Sequence, residues 1–317
     1  QTRVEYAGYA SASVRNGNLG MATPEEFVKL SELSDGMVTP GIYRDADGNY
    51  QLTDWVGELT RDVALTHSHD IAISGSSSKF NYRASISHKN AQGIAKVTNR
   101  RETIAKISAS QKALSYMQYR NDKFCGSFKD AALMNPTYPI YDKSTASGYF
   151  TPIRATNPVE NMNNKESYGE GNYFRGSIKA TLNLMKGLRL SAFGALEDGD
   201  NYGYWANGTI NTDISGSGKA GRTTDLNRNK LFEATLDYNT SFNGHNIAAV
   251  AGFSYQNFMY DGSSMENKGF ATENVKYFQI GNGDAEGTFR RLSSYRNSNT
   301  LAAFFGRVNY NYLEKYM

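Results

Sequence analysis

The 317-residue chain holds one cysteine, Cys125, and only six prolines. A single thiol excludes an intramolecular disulfide framework and a thiolate zinc site. Long apolar runs are missing as well. The longest are pieces such as IAAVA (247–251) and LAAFF (301–305), far short of the roughly 20 residues that a membrane-crossing helix requires. Charge of one sign is scarce: 34 Lys and Arg against 31 Asp and Glu leave +3, with no dense basic run, which gives nucleic acid no footing. Mean hydropathy is −0.58, so the chain as a whole reads as hydrophilic. Helical periodicity is confined to TPEEFVKLSEL (23–33), where Thr23 suits an N-cap, Pro24 the first helical position, and Glu25 and Glu26 the positive end of the dipole.

What the chain has is period two. With 30 Gly, 22 Tyr and 16 Phe, it repeats short stretches in which alternate residues are apolar. Ten strands are expected, near 2–14, 65–74, 79–90, 102–111, 115–120, 174–184, 188–198, 230–239, 246–258 and 299–312. All but one approach the 9 to 11 residues of a tilted membrane strand, and 115–120 is too short for the pattern. In 232–238, Phe232, Ala234, Leu236 and Tyr238 oppose Glu233, Thr235 and Asp237. Flanking MKG (185–187), Ile178, Leu182 and Leu184 on one side and Leu188 and Leu190 on the other give a tight hairpin with one oily and one wet face.

The connections alternate. Short links fall at GSSS (75–78), KAL (112–114), MKG (185–187) and TSFNGH (240–245); long polar stretches occupy 15–64, 91–101, 121–173, 199–229 and 259–298. Several long loops count against a compact soluble domain, whereas an outer-membrane barrel has short turns at one rim and long loops at the other. The expected fold is therefore an all-β, antiparallel transmembrane β-barrel portion with one short helix near the N-terminus. Apolar faces would touch lipid and polar faces line the lumen. Tyr238, Tyr255, Tyr310 and Tyr312 fall where aromatic girdles sit. A soluble β-sandwich, which buries the same alternation in a core, is the competing architecture.

Several segments in order resemble one family. QTRVEYAGYASASV followed by MATPEEFVKL, then LTDWVGEL (52–59), the run 67–102, DAALMNPTYPIYD (130–142), ATNPVENM (155–162) and LAAFFGRVNYNYLEKYM (301–317) are similar to SusC-like TonB-dependent transporters of Bacteroidetes. That resemblance implies about 22 strands closed around an N-terminal plug. It implies import of oligosaccharides or peptides across the bacterial outer membrane, with a SusD-like surface lipoprotein over the mouth and the TonB complex acting on the plug. On this reading residues 1–317 are part of the barrel of a longer protein, without the plug and without the C-terminal half of the barrel. A passive porin or adhesin barrel, and a secreted glycan-binding sandwich, are the alternatives.

No paired carboxylates, nucleophile–base set or metal cluster can be located, so neither catalysis nor a cofactor is expected. His67 and His69 share a strand face, but no carboxylate or cysteine is placed to complete a metal set with them, and His88 and His245 read as ordinary strand or turn residues. RDADGNY (44–50) sets Asp45, Asp47 and Asn49 around Gly48 like part of a calcium loop, yet lacks the distal Glu and reads as a hairpin. GSGKAG (216–221) reads as a loop tip. The candidate ligand contacts are in DGDNYGYWANGT (198–209): Tyr202, Tyr204 and Trp205, with Asn201 and Asn207, in an expected extracellular loop. Aromatic faces beside amides suit sugar rings. A second aromatic stretch, YQNFMYDGSSM (255–265), is a weaker candidate.

Overall fold

The computed structural model describes residues 2–16, 20–33, 41–77, 80–109, 114–123, 128–152, 155–208, 218–272, 274–284 and 290–313. Cys125, most of the KAL link and the first two residues of GSGKAG lie outside them. Ten strands form one antiparallel sheet in which each pairs with its neighbours in sequence. They are β1 (Thr2–Val14), β2 (Val63–Ser76), β3 (Asn81–Gln92), β4 (Asn99–Ala109), β5 (Leu114–Lys123), β6 (Lys165–Met185), β7 (Leu188–Asn207), β8 (Gly218–Phe242), β9 (His245–Phe270) and β10 (Arg291–Tyr312). All ten expected strands are present. The segment expected to be too short, 115–120, is a full strand of ten residues.

The two rims differ as the pattern requires. At one rim the chain reverses within a few residues. Asn243 and Gly244 both take positive φ, 48° and 82°, the geometry that the right-handed twist of a two-residue hairpin demands. Gly187, at φ 82°, makes the β6–β7 turn, and its carbonyl accepts from the Asn239 amide at 2.7 Å. Ser77 N–H donates to the Phe80 carbonyl at 2.8 Å in the β2–β3 turn. At the other rim lie the longer connections, described over 41–62, 128–152, 155–164 and 274–284, whereas the expected long loop 91–101 shrinks to the turn 93–98.

One sequence expectation fails here. Much of the stretches 199–229 and 259–298 is strand rather than loop: β7 continues to Asn207, β8 begins at Gly218, β9 continues to Phe270 and β10 begins at Arg291. Likewise β6 begins at Lys165, inside the expected loop 121–173. Strands β6–β10 therefore run 20 to 26 residues, about twice what the membrane needs. The surplus forms a wall standing beyond the long-loop end of the membrane band. Both of its faces mix aromatic, small and polar residues, so the alternation that betrays a half-buried strand disappears there.

In the lower wall the alternation is sharp. Register places Ile178 opposite Gly194, Leu182 opposite Leu190, Leu190 opposite Leu236, and Phe253 opposite both Ala234 and Phe304, all on one face. On β1–β4 the same face carries Val4, Tyr6, Ile71, Ile73, Ile86 and Ile107. This face is bare: Phe304 is 86% exposed, Val308 71%, Val4 67% and Ile178 61%. No second layer of strands interlocks with it among the described residues, which excludes the sandwich. On β8 the apolar positions run from Phe232 to Phe242, matching the about 9 to 11 residues of a tilted membrane strand. Tyr238, Phe242, His245, Tyr310 and Tyr312 gather at the short-turn rim, with His245 Nδ1 2.7 Å from Tyr310 Oη. Tyr255 sits mid-strand at the upper border of the apolar band rather than at a strand end.

Above the long-loop rim the connections build a small core of their own. α1 (Pro24–Leu33) opens with a reciprocal capping box: Thr23 N–H donates to Glu26 Oε2 at 2.9 Å and Glu26 N–H to Thr23 Oγ1 at 3.2 Å. α2 (Trp55–Leu59), α3 (Phe128–Ala132) and α4 (Pro158–Asn164) pack Trp55, Leu59, Met134, Tyr138, Phe150 and Met162 together. Trp55 Nε1 donates to the Asn135 carbonyl at 3.0 Å, and Arg61 Nη1 clamps the 93–98 turn through the carbonyls of Gly93 and Ala95. The RDADGNY stretch closes as a hairpin: Asp45 Oδ1 accepts from Asp47 and Asn49 N–H, and Arg44 lies over the Tyr50 ring.

Candidate functional site

The face opposite the apolar band is polar and internally paired. On β6–β8, Arg175 meets Glu197 at 3.1 Å, Arg189 meets Asp237 at 3.6 Å, and Asn229 Nδ2 donates to Glu197 Oε2 at 3.1 Å. On β1–β3, Arg83 reaches Glu5 at 3.0 Å across the small residues of β2. These groups are well placed to face water inside a barrel and badly placed to face lipid. We call this side the inner face.

The five sequence-derived contact residues all lie on β7, not in a loop, and period two divides them. Asn201, Trp205 and Asn207 belong to the inner face; Tyr202 and Tyr204 belong to the outer face of the extramembrane wall. Gly, Asn, Asp and Tyr read as loop composition in 198–209, but the backbone ladder to β6 and β8 holds them extended.

On the outer face Tyr204 stacks on Tyr168, with centroids 4.8 Å apart, and touches Tyr277 at 5.5 Å; the Arg222 guanidinium lies 5.2 Å from its centroid. Tyr277 belongs to the connection 271–290, at the 3-10 turn Lys276–Phe278, and its hydroxyl donates to Glu166 Oε2 at 3.2 Å. Burial, then the bond to Tyr168 and the neighbouring Glu166, push the Tyr277 phenol far up, so it stays protonated. Buried Asn267 completes the clasp by donating from Nδ2 to the Ile280 carbonyl at 3.0 Å. Tyr202 donates to Asp200 Oδ2 at 3.3 Å, and the Asp200 charge raises its pKa. Tyr204 thus fastens a connection to the wall.

On the inner face the sequence reading missed a pattern that register reveals. Trp205 lies over Gly221 of β8, and its ring also meets the Lys219 ammonium 5.4 Å from the centroid. Tyr295 of β10 lies over Gly262 of β9 and donates to Asp225 Oδ1 at 3.0 Å, a bond that raises the Tyr295 pKa. Tyr173 of β6 covers Gly199 of β7 in the same way. Each glycine has no Cβ, so the ring of the neighbouring strand can rest on its backbone. In each pair an aromatic faces a glycine across a register that sequence alone does not supply.

The three histidines of β2 and β3 lie on the apolar side. His67 and His69 have centroids 5.4 Å apart, and His69 is paired with His88. Their Nδ1 atoms turn to different neighbours: His69 to Tyr6 Oη at 2.8 Å, His88 to Thr103 Oγ1 at 2.9 Å. Among the described residues no three His, Cys, Asp or Glu side chains form a group that could hold a metal ion.

No family model matches the chain. It is 32% identical to TonB-dependent receptor P3 of Formosa agariphila over 148 residues, 45% of this chain and 14% of that protein. It is 24% identical to TonB-dependent receptor SusC of Bacteroides thetaiotaomicron, with 99% of this chain aligned to 34% of SusC. Among solved structures, the RagAB peptide transporter superposes with a TM-score of 0.76 at 18% identity, covering 98% of this chain and 40% of the solved chain. The chain therefore spans at most about a third of the length of these curated relatives. Over nearly its whole length the chain is thus similar in sequence to TonB-dependent receptor SusC and in fold to a chain of the RagAB transporter.

Proposed function

We propose that this chain is barrel wall from an outer-membrane, TonB-dependent importer of oligosaccharides or peptides. The observation that carries the reading is the single meander sheet: a bare apolar band, short turns at one rim and long connections at the other. In a bilayer every strand N–H and C=O must be paired, and a closed barrel is the only strand architecture that achieves this. The lower wall of β1–β10 crosses the membrane, the inner face lines the lumen, and the capped connections with the upper wall stand outside the cell. A SusD-like lipoprotein would seat on that outer end, and the TonB complex would act through a plug elsewhere in the whole protein. The function is transport, with no reaction catalysed. Asn201, Trp205 and Asn207 on the inner face, and Tyr202 and Tyr204 on the outer, remain the candidate ligand contacts.

The test is uptake by cells carrying the full-length gene. Deletion of the gene, and separately of TonB, should abolish import of the same solute while leaving small-solute leakage unchanged. Uptake that persists without TonB would replace the importer with a passive pore.

A further inference from the structure

The apolar side of the wall is not evenly filled. On β6 and β7 two glycines, Gly176 and Gly194, stand where the outer-face positions around them carry bulky side chains. A groove of about 630 Å³ opens over them, walled by Ile107, Phe174, Ile178 and Leu196. A Cβ built on Gly194 would meet nothing within 4 Å, so the floor there is open. At Gly176 the Phe174 ring leans across, 3.0 Å from the place a Cβ would take, and forms a side wall. Ile107 and Ile178 are 60% and 61% exposed, and no described residue roofs the groove.

The groove runs obliquely. Register puts Ile107, Gly176, Leu196 and Lys230 in one row across β4–β8. Strands in a membrane barrel are tilted, so such a row climbs through the hydrocarbon. Its lower end lies by Ala109, the last residue of β4 before a short link. Its upper end is Lys230, the outer-face position next above Phe232, where the apolar band of β8 stops. Four interstrand steps make the row roughly 19 Å long, the reach of a fatty-acyl chain.

Lys230 is exposed and makes no ion pair or hydrogen bond among the described residues. The carboxylates on this face of the neighbouring strands are engaged elsewhere. Asp198 meets Arg228 at 3.1 Å, Asp261 meets Arg296, and Asp200 accepts from the Tyr202 hydroxyl and the Asn172 N–H. Asn257 and Thr300 continue the row beyond Lys230 and bond to each other. A cation without a counter-charge at the border of hydrocarbon attracts an anionic headgroup.

We propose that the groove holds one phosphate-bearing lipid of the outer leaflet, with an acyl chain lying across Gly194 and Gly176 and the phosphate on Lys230. Any lipid tail is as apolar as the groove, so the charge supplies the selectivity and the groove fixes where the chain lies. The proposal rests on the membrane-wall reading of the outer face and adds a specific lipid to it.

The experiment is native mass spectrometry of the full-length receptor, released from detergent micelles. The probes are lipid A, chemically dephosphorylated lipid A and inorganic phosphate alone. Lipid A should be retained in preference to its dephosphorylated form, and free phosphate should not be retained. Lys230→Gln should reduce retention about fivefold, the effect of one cation on an anionic headgroup. Gly194→Leu, which fills the open floor, should reduce it about threefold or more. Lys179→Gln, on the inner face, should leave it unchanged. A photoreactive residue in place of Leu196 should crosslink to lipid. Heat-modifiable migration verifies the barrel of each variant. Equal retention of the two lipid A forms, retention of free phosphate, unchanged retention by Lys230→Gln, or a protein chain captured at position 196 would overturn the proposal. Membrane flotation separates this failure from a larger one. A receptor that floats with vesicles but shows no lipid preference loses the lipid site and keeps the membrane wall, whereas one that does not float loses both.

Discussion

Asn157 shows how much one buried polar side chain can organise. Its Oδ1 accepts from the N–H groups of Val159 and Glu160 at the start of α4, and its Nδ2 donates to the carbonyls of Ile140 and Phe150. Asn157→Ala removes the cap and strips the Phe150 carbonyl of its partner, while the Ile140 carbonyl keeps the Phe150 N–H, a loss of about 2 kcal/mol confined to the long-loop core. Limited proteolysis of the full-length receptor should show faster cleavage within 128–164 and an unaltered barrel. At the opposite rim, Gly187 combines positive φ with a backbone approach that leaves no room for a Cβ beside the Asn239 carbonyl. Gly187→Ala should cost about 1–2 kcal/mol or more and lower the yield of refolding into lipid vesicles. Gly20 also has positive φ but nothing lies near it, so Gly20→Ala should cost less.

At the scale of the strand, the decisive property is which neighbour each face has. Leu236 and Thr235 are adjacent on β8 and point to opposite sides. Leu236→Arg places a charge in hydrocarbon and should destabilise the folded receptor by about 2–4 kcal/mol, read from urea unfolding in vesicles; Thr235→Arg, on the wet side, should be tolerated. This alternation made the lower wall legible in the sequence, because a strand with lipid on one face and water on the other must alternate. The upper halves of β6–β10 were not legible. Around Asn201 and Asp225 both faces meet water or polar neighbours, so nothing in the composition separates an extended ladder from a loop. The aromatic–glycine pairs were hidden for a related reason: Tyr295 and Gly262 are far apart in sequence, and only register brings them together. The N-cap of α1, by contrast, is wholly local, and Thr23 announced it; Glu26, read from the sequence only as a charge at the helix start, turns that cap into a capping box.

Across the whole molecule, the sheet is a wall with two ends. Among the described residues β1 pairs only with β2 and β10 only with β9, so each outer edge presents unmatched N–H and C=O groups. Water tolerates such edges and hydrocarbon does not. On the proposed reading further strands of a longer chain complete these edges, so the 317 residues expressed alone should aggregate or stay outside the bilayer, as separated by membrane flotation. Insertion of the isolated chain as a monomer would mean that the edges are not membrane-embedded. The taller half of the wall, β6–β10, carries the aromatic rings, and the shorter half meets the capped connections, so the long-loop end is asymmetric.

The most direct test of the account is accessibility scanning along 231–240 of β8 in full-length receptor reconstituted into bilayers, with Cys125 first replaced and single spin labels introduced in turn. Relaxation by oxygen dissolved in lipid should peak at positions 232, 234, 236 and 238, and relaxation by an aqueous nickel chelate at 233, 235, 237 and 239, in antiphase. If 234 and 236 proved shielded from both reagents, their side chains would be packed in a dry protein interior and the membrane-wall account would be contradicted.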